Sequence, residues 1–229
     1  MIRGKLIDDE HYIISGNRSW KTSSGAILNG GFEHGVDAIL SQSLKLKQNI
    51  DHLSMPNFLR DSAKRLLPNK KVVGLLTLTP QKYAQFSYLD DNLIPYAVFV
   101  TVGYHNAQRP VVSASNFYDE DNDHASGSTQ NIGTINIAVI VERKLTNSAM
   151  VQLQEVLILT KAQAMKNSEL FPDNIYSTPT DVTLVGCLED DDFRKTLQYG
   201  FLRTRLADTI SATLYTILLN ALIKQSKET

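Results

Sequence analysis

The chain changes its hydrophobic period about two-thirds of the way along, and this change most constrains how it can fold. Earlier apolar residues form short runs rich in Val, Leu and Thr, such as Val72 to Leu78 and Ala97 to Val102, which are typical of buried strands. The strongest of these runs is Gly133 to Val141. Helical spacing then follows Thr146, a predicted helix cap, and returns from about Leu202 to Ile223. Strands early and two long helices late predict an α+β fold with the helices packed on a mixed β-sheet.

The remaining segments give weaker signals. Residues 11 to 28 predict a hairpin around the turn residues Ser15 to Asn17, and Val36 to Leu46 alternates like a further strand. Pro56 to Leu67 predicts a short helix, and Pro80 to Pro95 a short helix or a loop over a sheet edge. The segment from 110 to 131 is rich in Ser, Asn, Asp and Gly, which indicates a functional or a mobile loop.

Length and charge set the class of protein. At 229 residues the chain can form one domain, 1–229, with a substantial core and no need of cross-links. Its 23 basic and 24 acidic residues give a formal charge of −1, which does not favour nucleic acid or an anionic membrane as a partner. The single cysteine, Cys187, excludes an internal disulfide, and no signal sequence or membrane span is recognised. We expect a cytoplasmic protein; the sequence leaves open whether it forms a homo-oligomer.

Motifs for metals and nucleotides are missing from the sequence. Asp119 to Asp123 with His124 lack the Gly and Glu of a calcium loop, so a solvated acidic loop is the better interpretation. The five histidines have no zinc-motif spacing with one another or with Cys187. There is no phosphate loop and no dinucleotide fingerprint. We therefore predict no metal and no cofactor.

Small polar residues collect where apolar runs begin or end. Asn29-Gly30-Gly31 precedes Phe32, Val102-Gly103 leads to His105-Asn106, Gly133-Thr134-Ile135-Asn136 opens the strongest strand, and Thr180-Asp181 precedes the run Val182 to Cys187. Such junctions expose backbone amides and short polar side chains, which suits an uncharged ligand rich in amides. Each junction alone is also explained as a turn, since the same residue types favour turns.

Five stretches of the chain, taken together, carry a family resemblance. They occur in the order Ser23 to Gly31 (SSGAILNGG), Gly74 to Pro80 (GLLTLTP), Val100 to Ala107 (VTVGYHNA), Gly133 to Ile137 (GTINI) and Ser177 to Asp181 (STPTD). This set resembles the adenosylcobinamide amidohydrolase family of corrinoid salvage. The resemblance implies hydrolysis of the amide that joins the aminopropanol arm to the corrin ring, giving adenosylcobyric acid and aminopropanol. The substrate, a corrinoid, would bring its own cobalt.

One helix departs from the family pattern. Where the family commonly has Ala-Thr-Glu-Ala-Lys, this chain has Leu159-Thr160-Lys161-Ala162-Gln163, so a cation replaces the carboxylate and an amide replaces the cation. Lys161 and Gln163 lie at opposite edges of the helix's apolar stripe, and Glu155 projects from its far side. Asp181 is then the best carboxylate for general-base or orienting work.

The resulting site hypothesis assigns each junction residue a role. The catalytic candidates are Asp181, Asn136 and Thr134, and the substrate-binding candidates are Asn29, Gly30, Gly31, His105, Asn106, Gly133 and Thr180. Two alternatives to this enzyme remain. One is a corrinoid-binding protein that has lost catalysis, which the replacement at Lys161 and Gln163 motivates, and the other is a relative that acts on a different amide.

Overall fold

The fold contains three helices and one extended sheet within the part of the chain that is described. The structure is a computed structural model, and it describes residues 1–44, 54–90, 94–103, 134–171, 175–178, 180–189 and 196–226. The strands are β1 (Arg3–Leu6), β2 (His11–Ser24), β3 (Gly31–Ser43), β4 (Val72–Thr77), β5 (Gln85–Leu89), β6 (Tyr96–Val102), β7 (Ile135–Val141) and β8 (Val182–Leu188). The α-helices are α1 (Met55–Leu66), α2 (Asn147–Asn167) and α3 (Arg205–Ser226).

The described strands form one mixed sheet in the order β4-β3-β2-β8-β7-β6-β5, with β1 added beside β2. The pairs β3–β4 and β7–β8 are parallel, whereas the other neighbours are antiparallel. One residue pair matters for the site: Asn136 of β7 lies opposite Val182 of β8. The starts of these two strands therefore lie side by side. The α+β prediction with helices on a mixed sheet is confirmed.

Side-chain alternation separates the apolar residues into three cores. One core lies between α2, α3 and one face of β6, β7 and β8, and includes Val98, Ile137 and Val185. The opposite faces of these strands pack on β1 to β4 through a second core that includes Phe99 and Trp20. A third core joins α1 to the outer face of β3 and β4. The sheet is therefore folded over on itself, with helices covering both outer faces.

Strand β2 corrects the predicted hairpin at Ser15 to Asn17. The strand runs through these residues without turning back, and its pairing with β3 shifts register between Ser15 and Trp20. Turn-forming residues also suit a bulge, which lets one strand bend. The chain reverses later, at residues 25–30, between β2 and β3. The first part of β2 pairs with β1 and its last part with β8, so the bend carries the strand across the fold.

The helices agree closely with the sequence pattern. Thr146 caps α2, since its Oγ1 accepts a hydrogen bond from the Ala149 backbone nitrogen at 3.1 Å. The predicted face of α2 is buried. The segment from 80 to 95 was only partly predicted, because it contains a short 3-10 helix at Gln81–Tyr83 and also the edge strand β5.

Helix α3 is apolar enough to resemble a membrane span. It has 22 residues and a mean hydropathy of 1.5. Its buried line runs through Leu206, Ile210, Leu214, Leu218 and Leu222. The first four were predicted on the apolar stripe of this helix, whereas Thr213, Ile217 and Ala221, predicted on the same stripe, are half-buried. This line packs on α2 and β6, where the Tyr96 hydroxyl lies 2.8 Å from Thr213 Oγ1. These contacts indicate a core helix rather than a span.

Candidate active site at the start of two parallel strands

The Asp181 carboxylate, just before β8, collects five hydrogen-bond donors. Its Oδ1 accepts from the Ile135 backbone nitrogen at 2.7 Å and from Thr178 Oγ1. Its Oδ2 accepts from Lys161 Nζ at 2.5 Å, and from Ser177 Oγ and the Thr178 backbone nitrogen, each at 3.0 Å. A carboxylate offers about four lone-pair sites, so all of its acceptor capacity is used. Of the two roles expected for Asp181, this arrangement fits orienting work better than proton abstraction.

Lys161 is the charge partner of Asp181. It projects from the middle of α2, and the side chains of Lys161 and Asp181 are 5% and 7% exposed. Lys161 Nζ also lies 3.4 Å from Ser177 Oγ. Gln163, by contrast, is exposed and bonds to Asn167 on its own helix. The buried Lys161 and the exposed Gln163 are therefore in different surroundings, which agrees with their predicted places at opposite edges of the apolar stripe.

A pair of hydroxyls bridges the starts of β7 and β8. Thr134 Oγ1 lies 2.6 Å from Thr180 Oγ1, so one hydroxyl donates to the other. Thr134 is buried, whereas Thr180 is exposed. The Thr134 carbonyl also accepts a hydrogen bond from the Gly103 backbone nitrogen at 3.0 Å, which ties this point to the end of β6. Three predicted candidates, Asp181, Thr134 and Thr180, thus lie together.

Asn136 enters the fold from the same strand start but faces the layer between the two halves of the sheet. Its Nδ2 donates to the Leu76 carbonyl at 2.9 Å, while its buried Oδ1 has no hydrogen-bond partner among the described residues. Directly across the β6–β7 ladder is Thr101, whose buried hydroxyl is also without a described partner. Buried polar atoms are usually hydrogen-bonded, so these two neighbouring atoms depart from the common pattern.

The Asn29 junction lies elsewhere along the edge of β4. Asn29 Nδ2 donates to the Val72 carbonyl at 2.7 Å, and Asn136 bonds four residues further along that strand, at Leu76. Four strand residues span about 13 Å, so the two amides are well separated. Asn29, with φ +52°, and Gly31, with φ +82°, use left-handed backbone, and a Cβ at Gly30 would lie 2.3 Å from the Ala26 carbonyl oxygen. The structure gives this junction a structural role and does not bring it against Asp181.

Three of the predicted site residues, His105, Asn106 and Gly133, lie outside the described residues, as do Asp119 to His124. Their assignments stay predictions. Within the described ranges, no group of three or more His, Cys, Asp or Glu side chains is arranged to hold a metal ion.

Several side chains that complete the site had no predicted role. Gln154 of α2 donates to the Ser23 and Thr183 carbonyls at 2.9 and 3.2 Å, and it accepts from Ser23 Oγ at 3.1 Å. It therefore links α2 to the end of β2 and to the start of β8. Ser177 and Thr178 stood in the recognised STPTD stretch, but nothing in that pattern indicated that both would bond to one carboxylate. Thr101 was recognised only as a strand end.

Together the junction offers groups suited to amide hydrolysis. It combines hydroxyls that can donate to a carbonyl oxygen, an amide oxygen with no partner in the described part of the chain, and a carboxylate held by an ammonium group. Fixed donors of this kind stabilise the oxyanion that forms when water or a hydroxyl adds to an amide. The binding of a large neutral ligand would use the polar groups nearby.

Comparisons with known proteins identify the family of this chain. No curated protein matches the sequence significantly. Two solved structures are distantly similar, each at 8% identity. One is the PH0078 protein from Pyrococcus horikoshii OT3, with TM-score 0.41 and coverage of 96% of this chain and 80% of that one. The other is an L-aminopeptidase D-Ala-esterase/amidase from Ochrobactrum anthropi, described as a variant Ntn hydrolase fold, with TM-score 0.37 and coverage of 97% and 81%. The family model for adenosylcobinamide amidohydrolase matches residues 3–229. The chain therefore belongs to the adenosylcobinamide amidohydrolase family, and it is an amidohydrolase.

Proposed function

We propose that this protein hydrolyses the amide between the aminopropanol arm and the corrin ring of adenosylcobinamide. Water adds to the amide carbonyl, the carbon–nitrogen bond breaks, and the nitrogen takes up a proton. The products are adenosylcobyric acid, as its carboxylate, and aminopropanol, as its ammonium form. The cobalt is part of the substrate, and the proposed reaction needs no cofactor from the protein.

The observation that carries the proposal is the Thr134–Thr180 hydroxyl pair beside the saturated Asp181 carboxylate. When Thr180 donates to Thr134 Oγ1, the Thr134 proton is available to a substrate oxygen. A hydroxyl fixed in this way can polarise the scissile carbonyl and stabilise the developing oxyanion. Because Asp181 already accepts from five donors, its role here is to hold the turn that carries Thr180.

Substrate recognition fits the other polar groups at this end of the sheet. The corrin ring carries several neutral primary amides, and each has both a donor and an acceptor. Asn136 Oδ1 and Thr101 Oγ1, which have no partner among the described residues, are an acceptor and a hydroxyl that match such amides. The predicted contribution of His105 and Asn106 to binding belongs to the same proposal.

The test is direct measurement of aminopropanol release from adenosylcobinamide by the purified protein. Thr134→Val keeps the side-chain shape and removes the hydroxyl, so we expect kcat to fall by about 100-fold to 1,000-fold, the usual effect of losing one oxyanion donor. Thr134→Ser keeps the hydroxyl and is expected to retain most of the activity. The matched control is Thr216→Val, which removes an exposed hydroxyl on α3, where Thr216 bonds only to the Ala212 carbonyl.

The outcomes separate the competing functions. Release of aminopropanol by wild type and not by Thr134→Val supports the proposed reaction and the proposed site. Tight corrinoid binding with intact substrate at every pH tested would instead support the non-catalytic alternative. Release from a different amide, and not from adenosylcobinamide, would show that the substrate has changed.

A further inference from the structure

We infer that Lys161 is a positioning residue for the hydrolytic reaction, an inference that rests on the proposed function. Lys161 is the position at which this chain departs from its family's carboxylate. Its side chain is buried and its ammonium group lies 2.5 Å from Asp181 Oδ2. The departure thus places a cation directly on the carboxylate that organises the site.

The ion pair adds a polar connection among three elements that already pack on one another, α2, β7 and β8. Lys161 belongs to α2, Asp181 precedes β8, and Asp181 Oδ1 receives the hydrogen bond of the Ile135 amide, the first residue of β7. The β7–β8 ladder begins at the pair of Asn136 and Val182, so Ile135 and Asp181 lie just before it, at the same end. The hydrogen bond from the Ile135 amide to Asp181 joins the two strand starts, and the ion pair with Lys161 fixes this joint to α2.

The position of the Thr180 hydroxyl depends on this joint. Thr180 is the chain neighbour of Asp181, and its Oγ1 lies 2.6 Å from Thr134 Oγ1. A shift of the turn from Ser177 to Asp181 would therefore move Thr180 away from Thr134. A displacement of about 1 Å in a catalytic group can lower a rate by about 100-fold. Lys161 acts through Asp181 and Thr180, and it has no assigned contact with the substrate.

The experiment compares three variants of the full chain on adenosylcobinamide. Lys161→Met keeps a long apolar side chain and removes the charge, and we expect kcat to fall by at least about tenfold with KM changed by less than about threefold. Lys161→Arg keeps the cation and is expected to recover part of the lost kcat. Lys166→Met, an exposed lysine on the same helix, is the matched control and is expected to keep wild-type kinetics.

A purely structural role is tested with the double variant Lys161→Met/Asp181→Asn. It removes both charges while keeping an oxygen for the Ile135 amide, so it is expected to be more stable than Asp181→Asn alone. If Lys161 positions the site, kcat stays low even though stability recovers. Recovery of kcat together with stability would overturn the inference.

A second measurement does not depend on catalysis. Hydrogen exchange of the Ile135 backbone amide reports directly on its hydrogen bond to Asp181. Lys161→Met is expected to speed this exchange by at least about tenfold, after correction for any change in global stability. Unchanged exchange at Ile135 would overturn the inference, whatever the activity. If wild type releases no aminopropanol but Lys161→Met still speeds the exchange, the proposed reaction fails and the joint stands.

Discussion

The buried pair of Lys161 and Asp181 predicts an unequal response to removing either partner. In Lys161→Met, the Asp181 carboxylate keeps its four other donors, from Ile135, Ser177 and Thr178. In Asp181→Asn, the ammonium group of Lys161 faces an amide NH2 group in place of Oδ2 and keeps only Ser177 Oγ, at 3.4 Å. The second variant leaves a buried charge without compensation, whereas the first does not.

The magnitudes follow from this difference. Loss of one hydrogen bond to a charged group lowers the free energy of unfolding by about 1.5–3 kcal/mol, which we expect for Lys161→Met. An uncompensated buried charge costs about 3–5 kcal/mol, which we expect for Asp181→Asn. Adding Lys161→Met to Asp181→Asn removes that charge. The double variant is therefore expected to be more stable than Asp181→Asn by about 1–2 kcal/mol, although it carries one more substitution.

The assay is urea unfolding at neutral pH, followed by tryptophan fluorescence. Trp20 is the only tryptophan in the sequence and is 1% exposed, packed in the core between the two halves of the sheet. It reports loss of that core at a distance from the substitutions. The reasoning is refuted if the double variant is less stable than Asp181→Asn, or if Lys161→Met is as destabilising as Asp181→Asn.

Three further predictions concern other parts of the molecule. Burial raises the pKa of Asp8, but hydrogen bonds from the His11 ring and from nearby amides outweigh it, so the pKa lies below its usual value. This stabilisation is present above the unfolded pKa and is lost as pH falls through the folded one, so the difference in urea midpoint between wild type and Asp8→Asn should shrink below about pH 4. Gly30→Ala drives a Cβ to 2.3 Å from the Ala26 carbonyl oxygen, and should lower the free energy of unfolding by about 1–3 kcal/mol in the same assay. Burial also raises the pKa of the Cys187 thiol, so a thiol reagent should label it only after unfolding, and rapid labelling of native protein would contradict this.

Local signals predicted the helices well and the bend of the sheet poorly. Thr146 caps α2 as expected, because a cap depends on a few neighbouring residues. The Ser15 to Asn17 segment was predicted to turn, but its residue types suit a bulge equally, and only the pairing of β2 with two different partners decides between them. Strand β5 was missed although Phe86 and Tyr88 alternate with Gln85 and Ser87, because five residues are too few to distinguish an edge strand from a loop.

The site was predicted at the level of strand junctions and missed at the level of partners. Asp181, Thr134 and Thr180 could be found because polar residues at strand starts are recognisable in sequence. Asn29 shares that pattern, but its side chain bonds to the Val72 carbonyl of the edge strand β4. The pattern alone therefore does not distinguish a ligand-binding residue from one that bonds to the edge of the sheet. The contact of Lys161 with Asp181 spans 20 positions of the chain and depends on how α2 packs on β8.

A carboxyl group at position 161, which the family resemblance implies, supplies the last test of this interpretation. Lys161→Glu would place a second carboxylate beside Asp181 in a site where the present side chains are 5% and 7% exposed. Like charges repel strongly at short distance in a buried site, so Lys161→Glu adds repulsion to the loss of the ion pair that Lys161→Met causes. We therefore expect Lys161→Glu to lower the free energy of unfolding by more than Lys161→Met does, measured by urea unfolding. Lys166→Glu, on the exposed face of the same helix, controls for the added charge. A loss no larger than that of Lys161→Met would mean that position 161 does not face Asp181 in solution, and the positioning role of Lys161 would fall with it.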